Sequence, residues 1–270
     1  MRRFFLSLSC CLLLGCSSNP VQEETTETSQ IETTETKMET TTVEDSFEPV
    51  YQVVYTLPDT YLYEDPLCQQ EVKQSEPFTS YYTDGKQDGV FRVESGYLRE
   101  KDVLTSLLDY PWNFQIQGVP GNESIIGVFR GVEQIPSIWE SFQKQGWTLY
   151  VTDQDIQSKY SDYTYAIGGI TDYETKEIWI GNYGEETTSQ VLHEMGHYLD
   201  WSLDFPSNSD TFLAIHQKEK SQMFYIAEVL RDHIEDPREY FAESVCQFVE
   251  NKERLKQYNP ETYQYFSQIL

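Results

Sequence analysis

The ten residues Val191 to Asp200 read V-L-H-E-M-G-H-Y-L-D, and within them His193, Glu194 and His197 make the pattern H-E-x-x-H. Residues four apart on an α-helix lie one above the other, so the two imidazoles project from one face and can share a metal ion. Neutral imidazole suits zinc, which takes two such rings, a further protein group and a water; Glu194 stands within reach of that water. The pattern is short enough to arise by chance, and its surroundings give it weight. Thr187, Thr188 and Ser189 are residue types that cap helices, and Val191, Leu192, Met195 and Leu199 form an apolar stripe that would bury one side. Gly196 costs a helix about 1 kcal/mol relative to Ala, so its place here calls for a neighbouring element that approaches closely beside the metal.

The third ligand must come from elsewhere. Positions 200 and 203 are Asp and Leu, where the metzincin continuation requires Gly and His, so that class is excluded. His216 and His233 are the other two histidines, which makes a carboxylate on a second helix the better candidate. Asp236-Pro237-Arg238-Glu239 opens such a helix, with Asp as N-cap, Pro at the first position and Phe241, Val245 and Phe248 as its apolar stripe. Glu239 and Glu243 share another face. Glu239 can equally be read as the capping-box partner of Asp236, and Glu243, Asp200 and Asp204 are rivals for the metal.

The pairing of V-L-H-E-M-G-H-Y-L-D with P-R-E-Y-F-A-E, whose Glu239 follows His197 by 42 residues, resembles the catalytic domain of anthrax lethal factor and the related Pro-Pro endopeptidases. The ending, Glu253-Arg254-Leu255-Lys256 and then Asn259 to Phe266, is similar to the terminal segment of the same family. The resemblance runs from about Gly131 to Leu270. It implies a zinc metallopeptidase in which Glu239 joins His193 and His197 on the metal, Glu194 is the catalytic acid and base, and Glu243 accepts a hydrogen bond from a ligand imidazole. One departure stands out. Seven residues before the third-ligand glutamate the family carries a Tyr that steadies the oxyanion; here that place is Asp232, leaving His233 beside it, or a tyrosine such as Tyr225, as the candidate catalytic donor.

Upstream of the metal helix the pattern is mixed. Ser124 to Arg130 reads as a strand, Ile135, Ile138, Trp139 and Phe142 recur at helical spacing until Gly146, and Trp147 to Thr152 reads as a second strand. Tyr165 to Ile170 and Lys176 to Gly181 follow as strands, with Thr171-Asp172 opening the turn between them. A sheet first and helices after is an α+β layout, with the metal helix packed on the sheet. In K-E-I-W-I-G, Ile178 and Ile180 face one side and Glu177 and Trp179 the other. As the free edge of the sheet, this strand would bind an extended peptide or protein substrate by strand addition; as an interior strand it would bury Trp179 as core.

Pro49 to about Val103 turns to short β-like pieces: Tyr51 to Tyr55, Tyr61 to Tyr63, Pro77 to Tyr82, Val90 to Val93 and Tyr97 to Arg99, with turns at Asp84-Gly85 and Asp88-Gly89. Their layout resembles the small SH3-like barrels of bacterial surface proteins, which contact wall polymers or act as spacers. Before them, Ser17 to Glu48 is rich in Thr and Glu and cannot bury a core; it reads as a disordered tether with a reach of roughly 30 Å as a coil. Met1 to Gly15 combines Arg2 and Arg3 with an apolar run too short to span a bilayer permanently, as in an export signal. Its end, Leu13-Leu14-Gly15-Cys16, resembles the lipobox of bacterial lipoproteins, which implies lipidation at Cys16 and a place on the extracellular face of the cell membrane.

The expected divisions are therefore 1–15, 16–48, 49–104 and 105–270. The formal charge of −26 divides as +2 in Met1 to Gly15, −8 in Ser17 to Glu48 and −20 in the rest, which argues against a nucleic-acid partner or a polybasic membrane contact. Past Cys16, Cys68 and Cys246 are too few for a disulfide framework and are expected as unpaired thiols. Two further functions stay open: a wall- or host-binding lipoprotein whose peptidase has lost activity, which the Asp at 232 in place of the family's Tyr favours, and a zinc hydrolase of a non-peptide amide in the cell wall, to which the β module points. The intact ligand pair and Glu194 count against the first.

Overall fold

The computed structural model describes residues 46–156, 168–223 and 233–270. The expected signal, Cys16 and the tether to residue 45 lie outside the described residues, as do Tyr225, Asp232 and the first part of the expected strand Tyr165 to Ile170.

The first half is a seven-stranded antiparallel sheet: β1 (Gln52–Thr56), β2 (Tyr61–Tyr63), β3 (Glu71–Gln74), β4 (Ser80–Gln87), β5 (Val90–Val93), β6 (Gly96–Arg99) and β7 (Val103–Leu104), in the order β3-β2-β6-β5-β4-β1-β7. Val54, Leu62, Phe91, Val93, Leu98 and Val103 close its core. Asp88 and Gly89 both adopt positive φ, 47° and 78°, as a tight hairpin turn between twisted strands requires. Asp84-Gly85 does not turn. The chain runs on through it as a bulge within β4, and Gly85 lies so close to Phe47 that an added Cβ would sit 2.9 Å from the phenylalanine Cβ. Strand β3 was not expected; all four of its residues are exposed, so no apolar alternation marks it.

The second half is mixed α+β. A four-stranded sheet of β8 (Gln115–Gln117), β9 (Thr148–Thr152), β10 (Gly169–Asp172) and β11 (Glu177–Ile180) packs with helices α1 (Asn122–Glu133), α2 (Pro136–Lys144), α3 (Thr187–Ser202), α4 (Asp210–Glu219), α5 (Pro237–Glu250), α6 (Lys252–Tyr258) and α7 (Pro260–Phe266). The strand order is β10-β11-β9-β8, with β10 antiparallel to β11 and the other pairs parallel. Ile125 and Val128 of α1, Leu149 and Val151 of β9, Ile178 and Ile180 of β11, Val191 and Met195 of α3, and Phe241 and Val245 of α5 share one core. No helix among the described residues is long and apolar enough to cross a membrane. Cys68 and Cys246 are buried free thiols, as expected.

Four expectations fail here. Ser124 to Arg130 lies within helix α1: Ile125, Val128 and Val132 bury at helical spacing, and the β-branched run yields to that periodicity. Gly127 and Gly131 let the helix lie on α3, where added Cβ atoms would meet Thr187 Cβ and Val191 Cγ1 at 2.8 Å. Helices therefore interleave with the sheet instead of following it. Thr171 and Asp172 belong to β10, and the turn comes after them, where the Asp172 carboxylate accepts from the N–H groups of Glu174 and Thr175. Thr187, Thr188 and Ser189 do not cap α3; Thr188 and Ser189 instead donate to the Gly127 carbonyl and the Glu250 carboxylate.

For β11 the structure decides between the two readings. It pairs on both sides, with β10 and β9, so it is an interior strand. Ile178 and Ile180 do face one side and Trp179 the other, where its ring stacks on Tyr150 at 4.1 Å. The outer strand on this side of the sheet, among the described residues, is β10.

The C-terminal segment is tied back to the bundle by a buried carboxylate. Glu219, at the end of α4, accepts from the N–H groups of Glu261 and Thr262 and from the Thr262 hydroxyl, thereby capping the start of α7.

Candidate metal centre

Helix α3 crosses α5 at Gly196. A Cβ there would stand 2.7 Å from Ala242 Cα and 2.8 Å from its carbonyl oxygen, so the glycine is what lets the two backbones touch. This contact supplies the close neighbour that Gly196 called for. His193 lies one turn before it on α3, while Glu239 and Glu243 flank Ala242 on α5. The crossing therefore brings carboxylates onto imidazoles.

Asp236 caps α5 by accepting from the Arg238 N–H at 2.9 Å, and Pro237 occupies the first turn. Glu239 takes no part in the cap. Its Oε2 lies 3.2 Å from His193 Nε2 and 3.5 Å from His197 Nε2. Four ligands at zinc distances of about 2.0–2.1 Å in a tetrahedron stand roughly 3.3 Å apart, so this donor set fits one zinc ion. One ligand atom from each of the three residues lies within 4.8 Å of the others. Glu239 is the most open of them, at 34% side-chain exposure, which leaves the site accessible from that side.

Among the described residues, none of the rivals joins this cluster. Glu243 Oε2 lies 3.3 Å from His193 Nδ1 and accepts its proton when Nε2 faces the metal, while Glu243 Oε1 accepts from Gln247 at 2.7 Å. Asn251 in turn donates to Gln247 Oε1. Glu239, Glu243 and Gln247 repeat every four residues along one face of α5, and Asn251 continues the run at the C-cap, a spacing legible in the sequence. Asp200 is fully buried and accepts both the N–H and the hydroxyl of Ser207, at 2.9 and 2.6 Å. Asp204, exposed and at φ 64°, lies in the turn after α3.

Burial disfavours the charged form of His193, yet the carboxylates of Glu239 and Glu243 on its two nitrogens outweigh this and hold its pKa well above the ordinary value. Burial likewise acts to raise Glu239, and the two imidazoles pull it far below the usual carboxylate range. For Asp200 burial wins over the Ser207 hydrogen bonds, and its pKa is raised.

Glu194 is buried beside the pair, and the Thr171 hydroxyl donates to its Oε2 at 2.7 Å. Sequence reasoning placed Thr171 in a turn and missed this contact. It also missed Tyr173, whose ring packs edge-on against Trp147 and Phe205. Burial, then the charges of Asp200 and Glu194, push its phenol far above the ordinary range. His233 begins a short 3-10 turn ahead of α5 and is not one of the groups that converge on the metal position among the described residues.

The family model that describes the anthrax toxin lethal factor N- and C-terminal domain matches residues 133–269. No curated protein matches the chain. Among solved structures, the Pro-Pro endopeptidase PPEP-2 from Paenibacillus alvei is similar over 57% of this chain and 97% of its own, at 19% identity and a TM-score of 0.45. The lethal factor match spans just over half of the chain and contains both the helical histidine pair and the glutamate that meets it, which makes this chain a member of the anthrax lethal factor family of zinc metallopeptidases.

Proposed function

We propose that the chain is a zinc-dependent endopeptidase of extracellular proteins, held at the outer face of a bacterial membrane by lipid on Cys16. The observation that carries the catalytic part is the meeting of His193, His197 and Glu239 beside a buried Glu194. A zinc ion held by these three residues would polarise the scissile carbonyl and acidify a water. Glu243 fixes the His193 ring by accepting at Nδ1, which presents Nε2 for ligation. Glu194 takes the proton from the attacking water and delivers it to the leaving amine. His233, on the turn leading into α5, is the candidate donor to the developing oxyanion.

The substrate is an unfolded or loop segment laid along the outer edge of β10, the strand that contacts Glu194, rather than along β11. Residues 49–104 form the SH3-like module in this reading, a spacer or a contact for wall polymer, and residues 105–270 the peptidase.

The test is a peptide library digested with and without chelator, alongside zinc analysis. Glu194→Gln should keep zinc content and melting temperature while turnover falls by about 10²-fold or more, the loss typical of a missing general base. Zinc-loaded protein that cleaves nothing refutes the peptidase. For the anchor, Cys16→Ala should release the protein from membranes; unchanged association refutes lipidation.

A further inference from the structure

Strand β10 presents two kinds of side chain in alternation. Ile170 faces the small cluster with Trp179 and Ile156, whereas Gly169 and Thr171 face α3. A Cβ on Gly169 would lie 2.6 Å from Glu194 Cγ and 2.7 Å from Oε1, so the glutamate occupies the space that a side chain would fill. On the other flank the Thr171 hydroxyl reaches Glu194 Oε2 at 2.7 Å and the Glu194 carbonyl at 3.2 Å. Among the described residues this is the one side-chain hydrogen bond to that carboxylate. It engages Oε2, while Oε1 packs over Gly169.

We propose that Thr171 is a positioning residue for proton transfer: with Gly169 it clamps the Glu194 carboxylate in one orientation, so that the strand carrying the substrate also aims the base. The inference rests on the peptidase reading above. A glutamate side chain has three rotatable bonds, and a general base contributes only when held within hydrogen-bond reach of the proton it takes. Because the clamp belongs to β10, a peptide docked on that strand stiffens the element that orients Glu194, and substrates too short to pair with β10 lose turnover as well as affinity.

A merely structural Thr171 would tie the strand to the helix and nothing more, and two measurements on the full chain separate the two roles. In kinetics on a peptide the wild type cleaves, Thr171→Val should lower kcat by about tenfold or more with KM changed by less than about twofold, while Thr171→Ser, which keeps the hydroxyl, stays within about threefold of wild type. In the Glu194→Gln background, Thr171→Val should change the residual kcat by less than about twofold, because there is no base left to aim. In thermal unfolding of the metal-free protein, the melting-temperature losses of Thr171→Val and Glu194→Ala should be less than additive, since both remove one hydrogen bond. Equal kcat losses in both backgrounds, a loss confined to KM, or additive melting shifts would overturn the proposal. A zinc-loaded wild type without activity overturns the peptidase reading itself, whereas an active wild type with an equally active Thr171→Val overturns the positioning alone.

Discussion

Replacing Gly196 by Ala sets two physical effects against each other at the crossing of α3 and α5. Helix propensity alone says the change stabilises by about 1 kcal/mol. Packing says otherwise. The new methyl would lie 2.7 Å from Ala242 Cα and 2.8 Å from its carbonyl oxygen, both backbone atoms that cannot swing aside. Ordinary carbon contacts are about 3.5–4.0 Å, so the helices must part by roughly 1 Å, and overpacking of this kind costs about 1–3 kcal/mol. The metal-free protein should therefore be destabilised by up to about 2 kcal/mol. Glu239 rides on α5 three residues before Ala242, and its Oε2 starts 3.2 Å from His193 Nε2. A retreat of roughly 1 Å takes it to about 4 Å, well past the roughly 3.3 Å that a tetrahedral zinc spans. Zinc affinity should fall by about tenfold or more, which removes about 1.4 kcal/mol of zinc-linked stabilisation. Chelator competition and thermal unfolding with and without zinc read both numbers. A Gly196→Ala variant at least as stable as wild type, with zinc affinity within about twofold, would show that the crossing does not set the ligand geometry.

Glu239→Ala should lose stoichiometric zinc, whereas Glu243→Ala should keep it with affinity lowered by about 10- to 100-fold, because Glu243 acts through the His193 ring; metal analysis after dialysis tells them apart. Trp179→Pro removes a ladder hydrogen bond from an interior strand together with a buried indole, costs about 3 kcal/mol or more, and should lower the melting temperature by roughly 10 °C, while a nearly unchanged melt would return β11 to the sheet edge. The raised pKa of Asp200 means that the fold holds this proton longer than the unfolded chain does. Its contribution is fully present below about pH 4 and is lost as pH rises through the folded value. Asp200→Asn, which can still satisfy both groups of Ser207, should therefore gain stability over wild type as pH rises from about 4 to about 7, and a pH-independent difference in denaturant titrations would contradict this.

The metal helix, its histidine pair and the capped second helix were legible in the sequence because each rests on local rules: four-residue spacing, an N-cap with Pro behind it, an apolar stripe. Glycine at 196 pointed to a close crossing, since its cost inside a helix calls for a reason. The choice of Glu239 over Glu243, Asp200 and Asp204 could not be made from spacing, because every one of them is a carboxylate within plausible reach. It took the family resemblance to make it, and the crossing at Ala242 gave it a geometry. The order of the strands was hidden more deeply. Alternation in K-E-I-W-I-G shows which side chains share a face and says nothing about which strands lie on either flank, so an interior strand and an edge read alike. Only the tertiary structure put β10 outside β11, and only there do Gly169 and Thr171, a glycine and a hydroxyl with no local signature, come to lie against Glu194. Periodicity is a property of one segment, whereas edges and hydrogen bonds across elements are properties of their arrangement in space.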